Sequence, residues 1–474
     1  MGADPWLSCL RSAGHNELPR TSPTDLSRTA LAVAVLAFAG YWSTLEVPMS
    51  GDASSHVYLA YSFIRDGDAE IGECLAEPRA AQCLVWSFGA HRYAPYLPGN
   101  ALLLVPLALV ANVLGARPPA AVALGGLAKL QASLLVGISV AIVYLLVRRI
   151  VDRRAALLLT FAYAFGTFAF AIASQLLWEH AATLLFIGLS LLLALGPPQH
   201  AHRAGVAVAL AVLVRPQNAL FGLGLLAYLW IRRRRAVPGF LAWGAPPAAF
   251  LLTFDLIALG SPFATTRVWL WGTDPLQGAI GMFLSPSRGL LVYGPFLLVA
   301  IAALGAAWRV RGGALPDAAA DRTVLLRSMG LVLLANVVLF ALHEEWWGGW
   351  SYGNRYLSDL APVYILAIAH VWDRWLVATW TRALFAGSVG WAVLLQSLGA
   401  AYQYFYWDGR HWDATPDIGL TPDRLWSWTE AQWEWMLFRL VNDPGAQIVV
   451  EATALAAITC GFVALSRGAG RLAR

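Results

Sequence analysis

The chain has 474 residues, 58% of them hydrophobic and only 13% charged. Soluble domains carry about 25% charged residues, so there is too little polar surface here to coat a water-soluble globule, which excludes a cytosolic enzyme, a disordered scaffold and a secreted disulfide mini-domain. The 33 basic and 28 acidic residues leave a net charge of +5. Because the Arg clusters lie between apolar runs, this charge reads as membrane topology, and no nucleic acid is expected as a partner.

The first 28 residues are polar and contain Arg11, Arg20 and Arg28, which predicts a cytoplasmic tail. The run 29–47 has no small-residue cleavage site and reads as a retained signal anchor. An outer loop of mixed polarity, 48–97, follows. The stretch 98–114 reads as re-entrant or lying along the outer interface, because a full span there would put the Arg148–Arg154 cluster outside. Runs at 120–147, 155–174 and 180–196 come next, then two short segments, 203–214 and 217–231, meeting at Arg215-Pro216. Further spans are predicted at 238–259, 289–308, 323–342, 357–372, 383–400 and 447–466. The fold class is an all-α polytopic membrane protein with about 12 transmembrane helices and both ends cytoplasmic. It divides into the tail 1–28, a transmembrane module 29–400, a Trp-rich outer segment 401–445 and a last span with a basic tail, 446–474. No loop is long enough for an attached soluble domain.

The polar chemistry gathers in the predicted outer loops. Asp52 stands about five residues past the first span, and Leu59, Phe63 and Ile64 after it fall on one helical face. That predicts a short amphipathic helix resting on the bilayer, with Asp52 either its N-cap or a general base. Arg215, beside a helix-breaking Pro, either binds a phosphate or snorkels to the interface. Arg288 and Arg92 have the same two readings, phosphate ligand or headgroup anchor. The loop from His343 to Tyr356 packs His343, Glu344, Glu345, Trp346, Trp347, Trp350, Tyr352 and Arg355 together. It is read as a sugar-binding face with Arg355 as a further phosphate ligand, or as an aromatic belt with charged caps. His56 joins the sugar-binding candidates. Glu179-His180 is a weaker pair, and a divalent metal held with Asp52, His56, His343 or Glu344 is left open, with no His-x-x-x-His spacing to support it. Cys74 and Cys83 share the first outer loop, and an oxidising compartment there predicts a disulfide between them.

The stretch GDASSHVYLAYSFIRDGDAEI resembles the loop that opens a bacterial branch of the GT-C membrane glycosyltransferases, related to the aminoarabinose and protein O-mannosyl transferases. RYAPYLPGNALLLVPLALV, LVRPQN, SPSRGLLVYGPFLL and WWGGWSYGNRYLSDLAP resemble later landmarks of the same group, in order, over about 40–410. The resemblance implies a GT-C-like fold, a catalytic Asp in the first outer loop, carried here onto Asp52, and a polyprenyl-phosphate sugar as donor. The group's Glu after that Asp is Ala53 here, and its His is displaced to His56. Asp66 and Asp68 match its Asp-Gly-Asp and read equally as a solvated turn. The expected activity is inverting transfer of a sugar from a polyprenyl-phosphate lipid to a glycan, glycolipid or protein acceptor, on the outer face of the cytoplasmic (inner) membrane. The alternatives are a lipid-linked sugar flippase or transporter, or a non-catalytic envelope-assembly partner.

Overall fold

The computed structural model describes residues 23–44, 50–76, 83–88, 90–116, 121–260, 271–272, 274–310, 317–349, 351–407, 422–442 and 445–467. Trp350 and most of the loop after residue 407 lie outside the described residues. The helices in chain order are α1 (Pro23–Trp42), α2 (Gly51–Arg65), α3 (Gly99–Val113), α4 (Ala121–Val147), α5 (Arg153–Gly166), α6 (Glu179–Ala194), α7 (Ala204–Val214), α8 (Asn218–Arg232) and α9 (Val237–Leu259). They continue with α10 (Pro275–Leu284), α11 (Leu290–Tyr293), α12 (Leu297–Ala307), α13 (Asp317–Ala341), α14 (Ala361–Trp375), α15 (Thr379–Trp407), α16 (Gln432–Asn442) and α17 (Gly445–Arg467). A small antiparallel hairpin, β1 (Trp86–Phe88) with β2 (His91–Tyr93), makes the fold nearly rather than wholly α.

Among the described residues, five helical stretches are long and apolar enough to cross a membrane: Leu124–Val147, Arg234–Ala258, Asp317–Ala341, Thr379–Tyr402 and Ile448–Arg467. The shorter apolar helices α3, α6, α8, α10 and α12 accompany them. Two of the expected spans are interrupted. The 155–174 run stops at Gly166 and passes through a π-turn, Ala169–Ala173. The 289–308 run divides at Gly294-Pro295 into α11 and α12, where Pro cannot supply a backbone N–H. Helix α3, at 15 residues, extends about 22 Å, short of the ~30 Å hydrocarbon core.

Helix α4 is the central element, with 72% of its apolar window buried, and it packs on α1, α5 and α6. Helix α9 is peripheral, with 11% of its window buried, and it turns side chains such as Leu256 and Ile257 outward, as a lipid-facing surface does. The bundle has two chemically distinct ends. At one, Arg153 pairs with Asp25 at 3.2 Å, Arg232 and Arg233 pair with Asp321 at 2.9 and 2.7 Å, and Arg233 also donates to Gly196 O at 2.7 Å. The predicted cytoplasmic clusters therefore share one end. The carboxylates and guanidiniums of the candidate site occupy the other.

Helix α2 departs from its expected place. It is buried from Ala53 to Ser62 beneath α3 and against α4, rather than resting on a surface. Its N-cap is Ser50, whose Oγ accepts from Ala53 N at 3.3 Å, so the capping role considered for Asp52 belongs to its neighbour. Cys74 and Cys83 are joined by a disulfide. The residue after Cys83 is bound to α2: Ser55 Oγ donates to Leu84 O at 2.8 Å, which fixes the bridged loop against the start of the helix.

Candidate active site

Four distant stretches converge at the polar end of the bundle. Asp52 and His56 are one turn apart on α2 and so share a face. The chain before α6 brings Trp178, and the helix itself begins with Glu179 and His180. The break between α7 and α8 exposes Arg215 in extended conformation, at φ −142° and ψ 122°, because Pro216 ends the first helix. The loop between α13 and α14 supplies Arg355 and Asp359. Its reversal uses Gly348 and Gly349, whose φ values of +88° and +61° are open to glycine and strained for other residues.

The inner part of this site is a closed network. His180 Nδ1 lies 2.7 Å from Asp359 Oδ1. A carboxylate can only accept, so in this contact His180 donates from Nδ1. Arg215 donates to the other oxygen of Asp359 and stands 3.1 Å from His180 Nδ1. With its carbonyl oxygen turned inward, Gln217 accepts from Arg215 Nη2 at 2.7 Å. Arg215 is thus engaged by Asp359 and Gln217 and holds Asp359 against His180. His56 is fully buried, with Nε2 3.4 Å from Glu179 Oε1 and its ring 5.2 Å from that of Tyr96.

The outer part is a single accessible ion pair. Arg355 Nη1 and Asp52 Oδ2 are 3.5 Å apart, and the two side chains are 21% and 19% exposed. The Arg355 guanidinium lies over the Trp178 ring at 5.4 Å and the Tyr356 ring at 5.6 Å. Trp178 is itself fixed, its Nε1 donating to Ser50 Oγ at 2.7 Å. Arg355 Nε has no hydrogen-bond partner among the described residues. Burial disfavours the Arg355 charge, but Tyr356, Asp52, Tyr96 and Glu179 outweigh it and raise its pKa above the ordinary guanidinium value. Burial, reinforced by Asp52 and Glu179, also raises the Tyr96 phenol well above its usual range, which keeps it a proton donor. Asp52 therefore has a partly exposed guanidinium on one side and a protonated phenol near it. Such a site can accept a proton from a hydroxyl while binding an anion beside it.

The remaining sequence candidates lie elsewhere. Arg288 is fully buried and donates to Ser351 O, Gln432 Oε1 and Gly349 O, so it braces the 348–353 turn from beneath. Tyr352 is buried, with its hydroxyl on Leu395 O at 2.7 Å. Trp346 and Trp347 are 4% and 7% exposed, Trp346 pressing into the space left by Gly278 and Gly281 on α10. They pack the loop rather than present a face. His343 Nδ1 accepts from Glu345 N at 3.0 Å, Glu344 is exposed, and Arg92 lies on β2, with Nη1 on His91 O at 3.0 Å. Among the described residues no group of three His, Cys, Asp or Glu side chains is arranged to hold a metal. Ser50, Tyr96, Trp178 and Asp359 were not singled out from the sequence. Asp359 carried the clearest signal, as a carboxylate two residues before the apolar run of α14.

No known protein family matches the chain, and no curated protein matches it. Solved structures to which it is similar include the oligosaccharyltransferase of Archaeoglobus fulgidus tethered to an acceptor peptide containing the NVT sequon, at 15% identity and a TM-score of 0.47, covering 84% of this chain and 58% of that one. The archaeal oligosaccharyltransferase AglB from the same organism, in complex with an inhibitory peptide and a dolichol-phosphate, is similar at 14% identity and a TM-score of 0.44, covering 84% and 59%. The chain thus spans less than two thirds of the length of these structures.

Proposed function

We propose that the chain is a membrane glycosyltransferase that moves a sugar from a polyprenyl-phosphate carrier to an acceptor hydroxyl, at the extracytoplasmic face of the cytoplasmic membrane. The observation that carries this reading is the half-open Asp52–Arg355 pair, a carboxylate and a guanidinium 3.5 Å apart and each about one fifth exposed. Asp52 takes the proton of the acceptor hydroxyl as its oxygen attacks the anomeric carbon. The new C–O bond forms as the bond to the phosphate oxygen breaks, and direct displacement inverts the anomeric centre. Negative charge grows on the departing lipid phosphate, where Arg355 neutralises it. The Trp178 ring and the Ser50 hydroxyl hold that geometry from behind. Arg215 and Asp359 fix His180 in one tautomer at the edge of the site.

The test is transfer of label from a panel of radiolabelled polyprenyl-phosphate sugars to envelope lipids and glycans. Asp52→Asn keeps the size and the contact with Arg355 but cannot act as the base. It is expected to lower kcat by about 10²–10⁴-fold with the protein folded. Full transfer by a folded Asp52→Asn protein overturns the base assignment, and no transfer by the wild type from any donor overturns the class.

A further inference from the structure

Behind the site lies a buried polar hub that the proposed reaction step does not use. Lys129 on α4 is 2% exposed. Its Nζ donates to Thr44 O at 2.6 Å and to Thr44 Oγ1 at 2.9 Å. Thr44 Oγ1 is 2.6 Å from Gln175 Oε1, and Gln175 Nε2 donates to Ser174 Oγ at 2.8 Å. Ser133, one turn along α4 from Lys129, donates to Ser174 O at 3.0 Å. One face of α4 therefore grips two separate segments. The first follows α1 and leads to Ser50 and Asp52. The second follows the π-turn and leads to Trp178, Glu179 and His180. The segments are tied together again at Trp178 and Ser50, 2.7 Å apart, and at His56 and Glu179, 3.4 Å apart.

We infer that Lys129, through Thr44 and Gln175, is a positioning residue that sets Asp52 against the Trp178–His180 segment; the inference rests on the reading of Asp52 as the base. An ammonium inside an apolar bundle is costly to desolvate. A neutral side chain would pack there more favourably, but it would not carry several donors on a stem long enough to hold a carbonyl and a hydroxyl together. The hub fixes Thr44 and the start of the 174–180 segment, and that segment reaches the Asp52 helix through the Trp178–Ser50 hydrogen bond. A displacement there moves the carboxylate relative to its partners without touching any group that would contact substrate.

The experiment compares Lys129→Met, Thr44→Val and Thr44→Ser in the full-length protein. Lys129→Met removes the ammonium and keeps the stem. Thr44→Val is isosteric without the hydroxyl, and Thr44→Ser restores it. With a labelled polyprenyl-phosphate sugar, kcat is expected to fall by about 10²-fold in Lys129→Met, the scale of a misplacement near 1 Å. The Thr44→Val protein falls in the same direction, Thr44→Ser stays near wild type, and the donor KM holds within about twofold. Backbone hydrogen exchange is expected to rise in residues 50–56 and 174–180 and to stay unchanged in α13 and α15. Unchanged kcat in Lys129→Met and Thr44→Val, or a loss matched by faster exchange throughout the chain, overturns the inference. If the wild type transfers no sugar while exchange rises only in those two segments, the positioning role stands and the glycosyltransferase reading falls.

Discussion

Asp52 and Arg355 stand 303 positions apart in the chain and meet at 3.5 Å. The guanidinium lies over two aromatic rings, within 5.6 Å of each centroid, and its planar fork suits both the rings and phosphate oxygens better than a lysine ammonium does. Arg355→Lys is therefore expected to keep the charge and still lose about 10-fold or more in kcat/KM, because both the stacking and the bidentate geometry go. A turnover series with Arg355→Lys and Arg355→Gln checks this, and equal activity of Lys and Arg would remove the geometric argument. His343 belongs to the same loop and adds a pH dependence. Burial, together with Arg355, lowers its pKa below the ordinary imidazole value. The unfolded chain then binds more protons than the native one at mildly acidic pH, so stability rises with pH through that window and is fully present above about 6.5. His343→Asn places an acceptor near the Nδ1 position and does not titrate. The melting temperature of this variant is expected to fall less than that of the wild type between neutral and mildly acidic pH. The sequence marks His343, Arg355 and Asp52 as charged or titratable residues beside apolar runs. It offers Arg288 on the same ground and Trp346 and Trp347 as sugar-stacking rings, and these turn inward. Residue type is written in the sequence, whereas the direction of a side chain depends on partners such as Gly278 and Gly281 that lie far away in the chain.

At the scale of elements, the interruptions build the site. Arg215 points where it does because α7 ends one residue before it, and Arg-Pro at the junction of two short apolar runs is visible in the sequence. The π-turn after α5 is not, since residues 167–174 remain apolar or small and carry no Pro. The N-cap of α2 is Ser50, two residues before Asp52, for which capping was one of two readings, because cap identity depends on where the first backbone hydrogen bond falls. The Trp-rich outer segment has a defined structural part. Gln432 on α16 accepts from Gly353 N at 2.9 Å and donates to Ser351 O at 2.9 Å, so it clips the Arg355 loop from the far side. Gln432→Leu leaves Gly353 N without its acceptor and takes one acceptor from the buried Arg288, and is expected to destabilise the protein by about 1–3 kcal/mol. Gly390, within α15, is the opposite case, with nothing within 4 Å of where a Cβ would stand. Gly390→Ala is expected to stabilise by about 0.5–1 kcal/mol through helix propensity and the unfolded chain. Thermal unfolding in detergent distinguishes the two signs, and a destabilised Gly390→Ala would mean that α15 needs its flexibility.

On the scale of the whole molecule, the division into two ends was the part most legible in the sequence. Arg clusters alternate with apolar runs, and the runs between them set which loops must share a side. The ion pairs of Asp25 with Arg153 and of Asp321 with Arg232 and Arg233 join the clusters in two groups, and Arg149 and Arg233, donating to Leu192 O and Gly196 O at the end of α6, bring the groups together. The number of spans was less legible, because hydropathy registers an apolar run and not the turns inside it. If the proposed topology holds, the two ends face opposite compartments. Glu344, at the site end, and Arg234, at the cluster end, are both exposed. Each can be changed to cysteine in a chain whose Cys9 and Cys460 are replaced by Ser, with Cys74 and Cys83 held in their disulfide. In spheroplasts a membrane-impermeant maleimide is expected to label Glu344→Cys directly, and Arg234→Cys only after permeabilisation. Labelling of both before permeabilisation would put the Arg clusters and the Asp52 site on one side, which a bundle crossing the membrane between them cannot do. Labelling in the reverse order would keep the bundle and move the site to the cytoplasm, where a lipid-phosphate sugar would have to be presented from the inner leaflet.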